Sequence, residues 1–144
     1  RVEFLVAANP GMEARALAKV ASGGELSRIS LAIQVITSKA ALVPTLIFDE
    51  VDAGIGGGVA EIIGRQLKNL GRECQVLCVT HLPQVAAQAD QQWSVGKFGV
   101  EGKVKTLVSV LDRKARIEEV ARMLGGTEIT ATTRKHAAEM LSLR

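Results

Sequence analysis

Two adjacent acids, Asp49 and Glu50, are the residues of this sequence best suited to chemistry. They follow a short apolar run, Thr-Leu-Ile-Phe, at residues 45–48. Such a run predicts a strand buried on both faces of a parallel sheet, and two carboxylates at its end are costly unless a cation or a reacting proton uses them. Mg²⁺ held by one carboxylate, water and phosphate oxygens would fit there. The alternative is a pair of ordinary surface acids where a strand reaches solvent.

A second candidate is the run Ser22-Gly23-Gly24-Glu25 at the start of a predicted helix. Ser22 and Glu25 have the spacing of a capping box, which explains both residues without a ligand. The two glycines each cost a helix about 1 kcal/mol relative to alanine, and they let another group approach the backbone. Because a helix N-terminus attracts anions, the run is also a candidate phosphate site.

His81 is the third candidate, since it follows Thr80 directly after the apolar run at residues 76–79. If the two apolar runs are neighbouring parallel strands, His81 lies at the same sheet edge as Asp49 and Glu50, where α/β sheets place their ligands. Taken singly, a histidine here is more often structural. We interpret the other histidine, His136, as a surface residue of an amphipathic helix.

Metal and dinucleotide sites of familiar types are not indicated. Cys74 and Cys78 lie four residues apart on one predicted strand, which separates them by about 13 Å, too far to share a zinc ion. We therefore interpret them as reduced thiols. The glycine run at residues 54–58 has Val59 where a dinucleotide fingerprint needs its third glycine. The sequence also lacks the phosphate-binding loop G-x-x-x-x-G-K-[S/T].

The elements that must position these residues alternate between strand and helix. Residues 12–21 have no clear period and predict a loop, whereas the other segments fit the following ranges. Strands are predicted at residues 2–6, 45–48, 75–80, 92–98 and 103–111, and helices at 22–40, 59–70, 83–89, 114–124 and 130–143. This order predicts an α/β fold with a mostly parallel sheet flanked by helices and an antiparallel hairpin near the C-terminus.

Composition limits the class of protein. A chain of 144 residues that is 47% hydrophobic suits one globular domain. The net charge of +3 permits contact with nucleic acid without requiring it, and the 3% aromatic content argues against a base-stacking platform. No apolar run reaches the roughly 18 residues of a membrane span, so we expect a soluble cytoplasmic protein. The start at Arg1, within a strand-like stretch, suggests a cut from a longer protein.

Four motifs in this order resemble the second half of an ABC-type ATPase head. Residues 21–26 resemble the signature motif, 45–50 the Walker B strand, 51–54 the D-loop and 80–81 the switch histidine. Residues 19–28, 47–57, 79–86, 115–117 and 123–128 closely resemble the RecN family of bacterial DNA double-strand-break repair proteins, which are related to SMC ATPases. The resemblance identifies residues 1–144 as the C-terminal segment of a P-loop NTPase-like head whose phosphate-loop half is absent.

The resemblance implies a hydrolytic role for three residues. Asp49 would bind Mg²⁺ through water, and Glu50 would orient or deprotonate the attacking water as general base. His81 would contact the γ-phosphate of ATP. The implied activity is an ATPase that converts ATP and water to ADP and phosphate in DNA repair and recombination. We expect the 144-residue chain alone to be inactive, because it has no phosphate loop.

The resemblance also implies that ATP is shared between two heads. The γ-phosphate of ATP held by the opposite head would be bound by Ser22, Gly23 and Gly24, together with Glu25. Asp52 would face that head. The implied partners are a second head in an ATP-dependent homodimer, the N-terminal half of the same head, and DNA at the nucleoid. No membrane partner is implied.

A non-catalytic module for dimerisation or DNA contact, in which the acidic pair is structural, is the competing hypothesis. Its DNA-binding surface would come from basic side chains near the C-terminus, though a run of charges is usually a solvated face. These side chains are Lys97, Lys103, Lys105, Arg113, Lys114 and Arg116.

Overall fold

The computed structural model describes residues 3–7, 11–19, 23–37, 44–49, 51–52, 54–100, 103–126 and 128–142. The helices are α1 (Gly23–Thr37), α2 (Gly57–Leu70), α3 (Pro83–Ala86), α4 (Arg113–Gly125) and α5 (Ala131–Ser142). The strands are β1 (Leu5–Val6), β2 (Arg15–Ala16), β3 (Thr45–Phe48), β4 (Gln75–Cys78), β5 (Trp93–Val100) and β6 (Lys103–Val110). The chain divides into two compact units, Arg1–Gly56 with Leu70–Thr80, and Gly57–Asn69 with His81–Arg144.

In the first unit, β3 and β4 pair in parallel, with Leu46 opposite Val76 and Phe48 opposite Cys78. This confirms the predicted parallel pairing of the two apolar runs. The chain between them passes through α2, as a parallel connection requires.

The predicted burial of β3 on both faces is wrong for this structure. Ile47 is 70% exposed, whereas its neighbour Phe48 is buried. Among the described residues, β3 and β4 are the only strands of their sheet. Since none of the other described strands pairs with β3, the apolar content of the run did not bring a second covered face to Ile47. The apolar content of the run predicted a strand but not the number of its neighbours.

The predicted loop at residues 12–21 contains two short elements. Strand β2 pairs antiparallel with β1, with Leu5 opposite Ala16, and a single 3₁₀ turn follows at Leu17–Lys19. A two-residue strand is too short to show the alternation by which a strand is recognised in sequence.

The second unit contains the predicted hairpin and both predicted C-terminal helices. Strands β5 and β6 pair antiparallel, with Trp93 opposite Val110. Helices α4 and α5 pack around a small apolar core. Its buried members are Ala87, Val120, Ala121, Ala137 and Leu141. No helix in the described ranges is long and apolar enough to cross a membrane.

Candidate functional site

The sequence predicted an acidic site at the sheet edge formed by the carboxyl ends of β3 and β4. The Val79 N–H donates to the carbonyl of Phe48 at 2.9 Å, which continues the parallel pairing to the end of β3. Asp49 follows at once and is exposed. Its placement beside the end of β4 is the one that the sequence predicted, whereas Glu50 lies outside the described residues.

Asp52 lies in the loop after β3 and is only 1% exposed. Its carboxylate accepts a hydrogen bond from the Thr80 hydroxyl, just beyond β4. A buried carboxylate needs such donors because its desolvation is costly. In this structure, Asp52 therefore faces a residue of its own chain. Its predicted contact with a partner head stays a prediction.

The negative charges at this edge affect the pKa of the Cys78 thiol. Cys78 is the last residue of β4. Burial, followed by the negative charges of Asp52 and Asp49, raises the pKa of its thiol from 9.0 to about 12. The thiol lies in a negative field, which also attracts cations. One exposed carboxylate in such a field suits Mg²⁺, which keeps several waters and takes few protein ligands.

The two thiols are not arranged around a common centre. The Cys74 thiol lies 3.7 Å from the carbonyl of Leu70, and the Cys78 thiol lies 3.7 Å from the carbonyl of Val79. Across the part of the chain that the structure describes, no three His, Cys, Asp or Glu residues are grouped to hold a metal ion. A magnesium ion at Asp49 would therefore depend on water and phosphate oxygens for its remaining ligands.

Gly23 and Gly24 are the first two residues of α1, a helix of 15 residues. The predicted helix start is therefore confirmed. Main-chain N–H groups in the first turn of a helix have no partner within the helix and can bind an anion. Ser22 and the side chain of Glu25 lie outside what the structure describes, so both the capping box and the phosphate site stay predictions.

His81 belongs to the second unit, where it is exposed and precedes α3. Leu82 is the N-cap residue of α3, and its carbonyl accepts the N–H groups of Val85 and Ala86 at 3.1 Å each. His81 therefore lies directly before the N-cap residue of this short helix. His136 is exposed on α5, which confirms its interpretation as a surface residue.

The basic residues of the hairpin do not share one face. Lys97 lies opposite Thr106, and Lys105 lies opposite Phe98. Because side chains alternate along a strand, Lys97 points to one face of the hairpin, and Lys103 and Lys105 point to the other. All three are exposed. This division weakens the hypothesis of a single basic surface for DNA.

Arg116 is not a surface residue, contrary to its grouping with the basic residues. Its side chain is buried in the first turns of α4, one turn before the buried Val120. The guanidinium donates to main-chain carbonyls at the end of α3 and just beyond it. Its spacing in sequence with the apolar residues of α4 could have indicated this burial, because a residue four positions before a core residue lies on the same helix face.

Comparison with known proteins gives a consistent result along the chain. No protein-family model matches it. It is 52% identical over 141 residues to the DNA repair protein RecN of Xylella fastidiosa, covering 98% of this chain and 25% of that protein. It is 53% identical over 142 residues to RecN of Haemophilus influenzae, covering 99% of this chain and 25% of that protein. The chain thus spans about a quarter of the length of these curated relatives.

Solved structures with a similar fold include two SMC head domains. A head domain from Thermotoga maritima is 27% identical, with a TM-score of 0.52 over 72% of this chain and 37% of the other. An Smc head with coiled coil and joint from Pyrococcus yayanosii is 21% identical, with a TM-score of 0.60 over 81% of this chain and 24% of the other. A chain from work on ATP-driven dimerization and DNA-stimulated activation of SMC ATPases is 20% identical, with a TM-score of 0.58 over 86% of this chain and 81% of the other.

Proposed function

This chain is RecN-like along nearly its whole length and has the fold of an SMC-type ATPase head, and we propose that it is the part of a head that supplies the hydrolytic carboxylates for ATP in DNA double-strand-break repair. The observation that carries the proposal is the parallel pairing of β3 with β4. Asp49 follows β3 directly and so lies beside the end of β4, which Thr80 follows.

Three residues have distinct tasks in the proposed reaction. Asp49 would hold Mg²⁺ through water, and the chemistry supplied there would be neutralisation of charge on the phosphate oxygens. Glu50 orients the attacking water and accepts its proton as general base, while His81 contacts the γ-phosphate. The products are ADP and phosphate.

The remaining nucleotide contacts are proposed to come from two heads. This sequence has no phosphate-binding loop, so another part of the head must cradle the ATP. The N-terminus of α1, with Ser22, Gly23, Gly24 and Glu25, would bind the γ-phosphate of ATP on a second head. This arrangement agrees with ATP-driven dimerization, which is described for an SMC ATPase of similar fold.

Asp52 has a place in head pairing only if its side chain becomes exposed. Its carboxylate is buried and accepts the Thr80 hydroxyl in the present structure. The loop after β3 would then move when two heads engage. DNA is proposed as the substrate of the whole repair protein and not as a ligand of the β5–β6 hairpin, whose lysines are divided between two faces.

A chimeric RecN tests the proposed hydrolytic role. The matching quarter of Haemophilus influenzae RecN is replaced by this chain, and steady-state ATP hydrolysis is measured with Mg²⁺. We expect Glu50→Gln to lower kcat about 100-fold or more, as loss of a general base does, while ATP-dependent head pairing persists. Glu61→Gln on α2 is the matched control, because Glu61 is exposed and pairs only loosely with Arg65 at 3.6 Å. Near-normal turnover of the Glu50→Gln chimera would contradict the proposal.

A further inference from the structure

Arg116 is a buried arginine that contacts main-chain oxygens beyond its own helix. It is 5% exposed, which is unusual for an arginine. Its guanidinium donates to the carbonyls of Ala89 at 2.8 Å, Asp90 at 3.2 Å and Ala86 at 3.4 Å. These oxygens lie at the end of α3 and in the turn after it. Arg116 thus places a positive charge at the carbonyl end of α3, where the Ala86 carbonyl also accepts the Ala89 N–H at 3.3 Å.

The position of the Arg116 guanidinium depends on the start of α4, which is capped by hydrogen bonds. The Asp112 side chain accepts the Ala115 N–H at 2.8 Å, and the Asp112 carbonyl accepts the Arg116 N–H at 2.8 Å. The first of these bonds is a side-chain N-cap, which stabilises the first turn of the helix. Arg116 therefore lies at the capped start of α4.

Helix α3 is also held from the side of α2. A Cβ atom added at Gly64 would lie 2.9 Å from Cγ of Gln88 and 3.1 Å from the carbonyl oxygen of Gln84. The backbone of α3 therefore lies directly against α2, where a side chain at Gly64 would not fit. Close by, the Lys68 ammonium pairs with the Asp90 carboxylate at 3.0 Å.

A helix of one turn needs this external support. Helix α3 has four residues, and no side chain caps its start at Leu82. Isolated helices of this length are not stable in water, because the cost of the first turn is not recovered. His81 is the residue before Leu82. Its orientation therefore depends on what holds α3 in place.

We propose that Arg116 is a positioning residue for His81, because its guanidinium binds the carbonyl end of α3 and so fixes the turn from which His81 projects. The kinetic consequence rests on the proposed ATPase function, in which His81 contacts the γ-phosphate. In this proposal Arg116 acts through α3 and has no role in binding the nucleotide. Lysine cannot replace it, since a single ammonium cannot span three carbonyls as the planar guanidinium does.

The kinetic test uses the chimeric RecN with Arg116→Lys, and Arg113→Lys as the exposed control on the same helix. We expect Arg116→Lys to lower kcat for ATP about tenfold or more, since small misplacements of a catalytic group have large effects, while KM changes by less than about twofold. In a His81→Ala background, Arg116→Lys should cause no further loss, because the two residues act as a unit. An equal loss of kcat in both backgrounds would show a general structural role and overturn the proposal.

A second measurement does not depend on ATP hydrolysis. The ring resonances of His81 and His136 are followed by NMR in the 144-residue chain, with His136→Gln to assign them. We expect Arg116→Lys to shift or broaden the His81 resonance and to leave His136 unchanged, and Arg113→Lys to change neither. An unchanged His81 resonance in a folded Arg116→Lys chain would refute the positioning role, whatever the chimera's ATPase activity shows.

Discussion

At the scale of single residues, the hydrogen bond between Thr80 and Asp52 joins the loop after β3 to the end of β4. The Asp52 carboxylate is buried, and the Thr80 hydroxyl is one of its donors. The strength of this contact follows from burial, because a carboxylate that loses a donor away from water cannot replace it with solvent. The pair therefore ties together two segments that carry proposed catalytic residues.

Replacing the Thr80 hydroxyl tests that contact. Thr80→Val keeps the side-chain shape, removes the donor and should lower the free energy of unfolding by about 1–3 kcal/mol. Urea denaturation followed by circular dichroism measures the change. Thr106→Val, at an exposed position of β6, is the control and should change stability by less than about 0.5 kcal/mol. Equal stabilities of the two variants would show that the Thr80 contact contributes nothing.

The Cys78 thiol reports the charge of the acidic edge. Burial, with Asp52 and Asp49, raises its pKa from 9.0 to about 12, so iodoacetamide should react with it slowly until well above pH 9. A Cys74→Ser chain isolates this thiol, and alkylation rates against pH give its titration. Asp52→Asn should move the onset of reaction to lower pH, because one of the charges that oppose thiolate formation is gone. A midpoint of alkylation near pH 9 in the Cys74→Ser chain, with Asp49 and Asp52 unchanged, would contradict the raised pKa.

The same raised pKa sets the direction of a pH effect on stability. Folding raises the pKa of Cys78, so the folded chain holds this proton more tightly than the unfolded chain does. The resulting contribution is complete below about pH 9 and is lost as the pH rises toward 12. Cys78→Ala should therefore reduce the loss of stability between these two pH values, as urea denaturation at each pH would show.

At the scale of elements, the contact of α2 with α3 depends on one glycine. Gly64→Ala would place a methyl group 2.9 Å from Gln88 and 3.1 Å from the carbonyl of Gln84. Because the carbonyl belongs to the backbone of α3, the helix must move, and we expect a loss of about 1–3 kcal/mol. Gly58→Ala in the same helix is the control, since a Cβ there has nothing within 4 Å. Thermal melts should show a lower Tm for Gly64→Ala only; equal melting temperatures would contradict this packing.

The helices and strands differ in whether they could be predicted from the sequence. Apolar spacing predicted α1, α2, α4 and α5, and the short apolar runs predicted β3 and β4, because these patterns are local. Strand β2 has two residues and no pattern of its own, and its existence depends on pairing with β1. The exposure of Ile47 depends on which strands flank β3 and is not a local property of the run.

The features of the candidate site also differ in whether they could be predicted from the sequence. The position of Asp49 at the end of β3 follows from a local pattern. The contact of Asp52 with Thr80 joins residues 28 apart in sequence, so it depends on the register of β3 against β4. The proposed role of Arg116 depends on the carbonyl of a residue 30 positions away, and we predicted Arg116 to be a surface residue, although its place in the apolar spacing of α4 could have indicated its burial.

At the scale of the whole molecule, the central claim is that this chain carries the hydrolytic residues and another part of the head carries the ATP cradle. The sequence contains the acidic pair and no phosphate-binding loop. The chain also matches only about a quarter of its RecN relatives. We therefore propose that an active head needs both parts together.

Complementation measures this division most directly. ATP hydrolysis is followed for the 144-residue chain alone, for the rest of Haemophilus influenzae RecN without the region that this chain matches, and for the two co-expressed. We predict no hydrolysis by either part, and Mg²⁺-dependent hydrolysis by the pair that Glu50→Gln abolishes. Robust hydrolysis by the purified 144-residue chain alone would contradict the account.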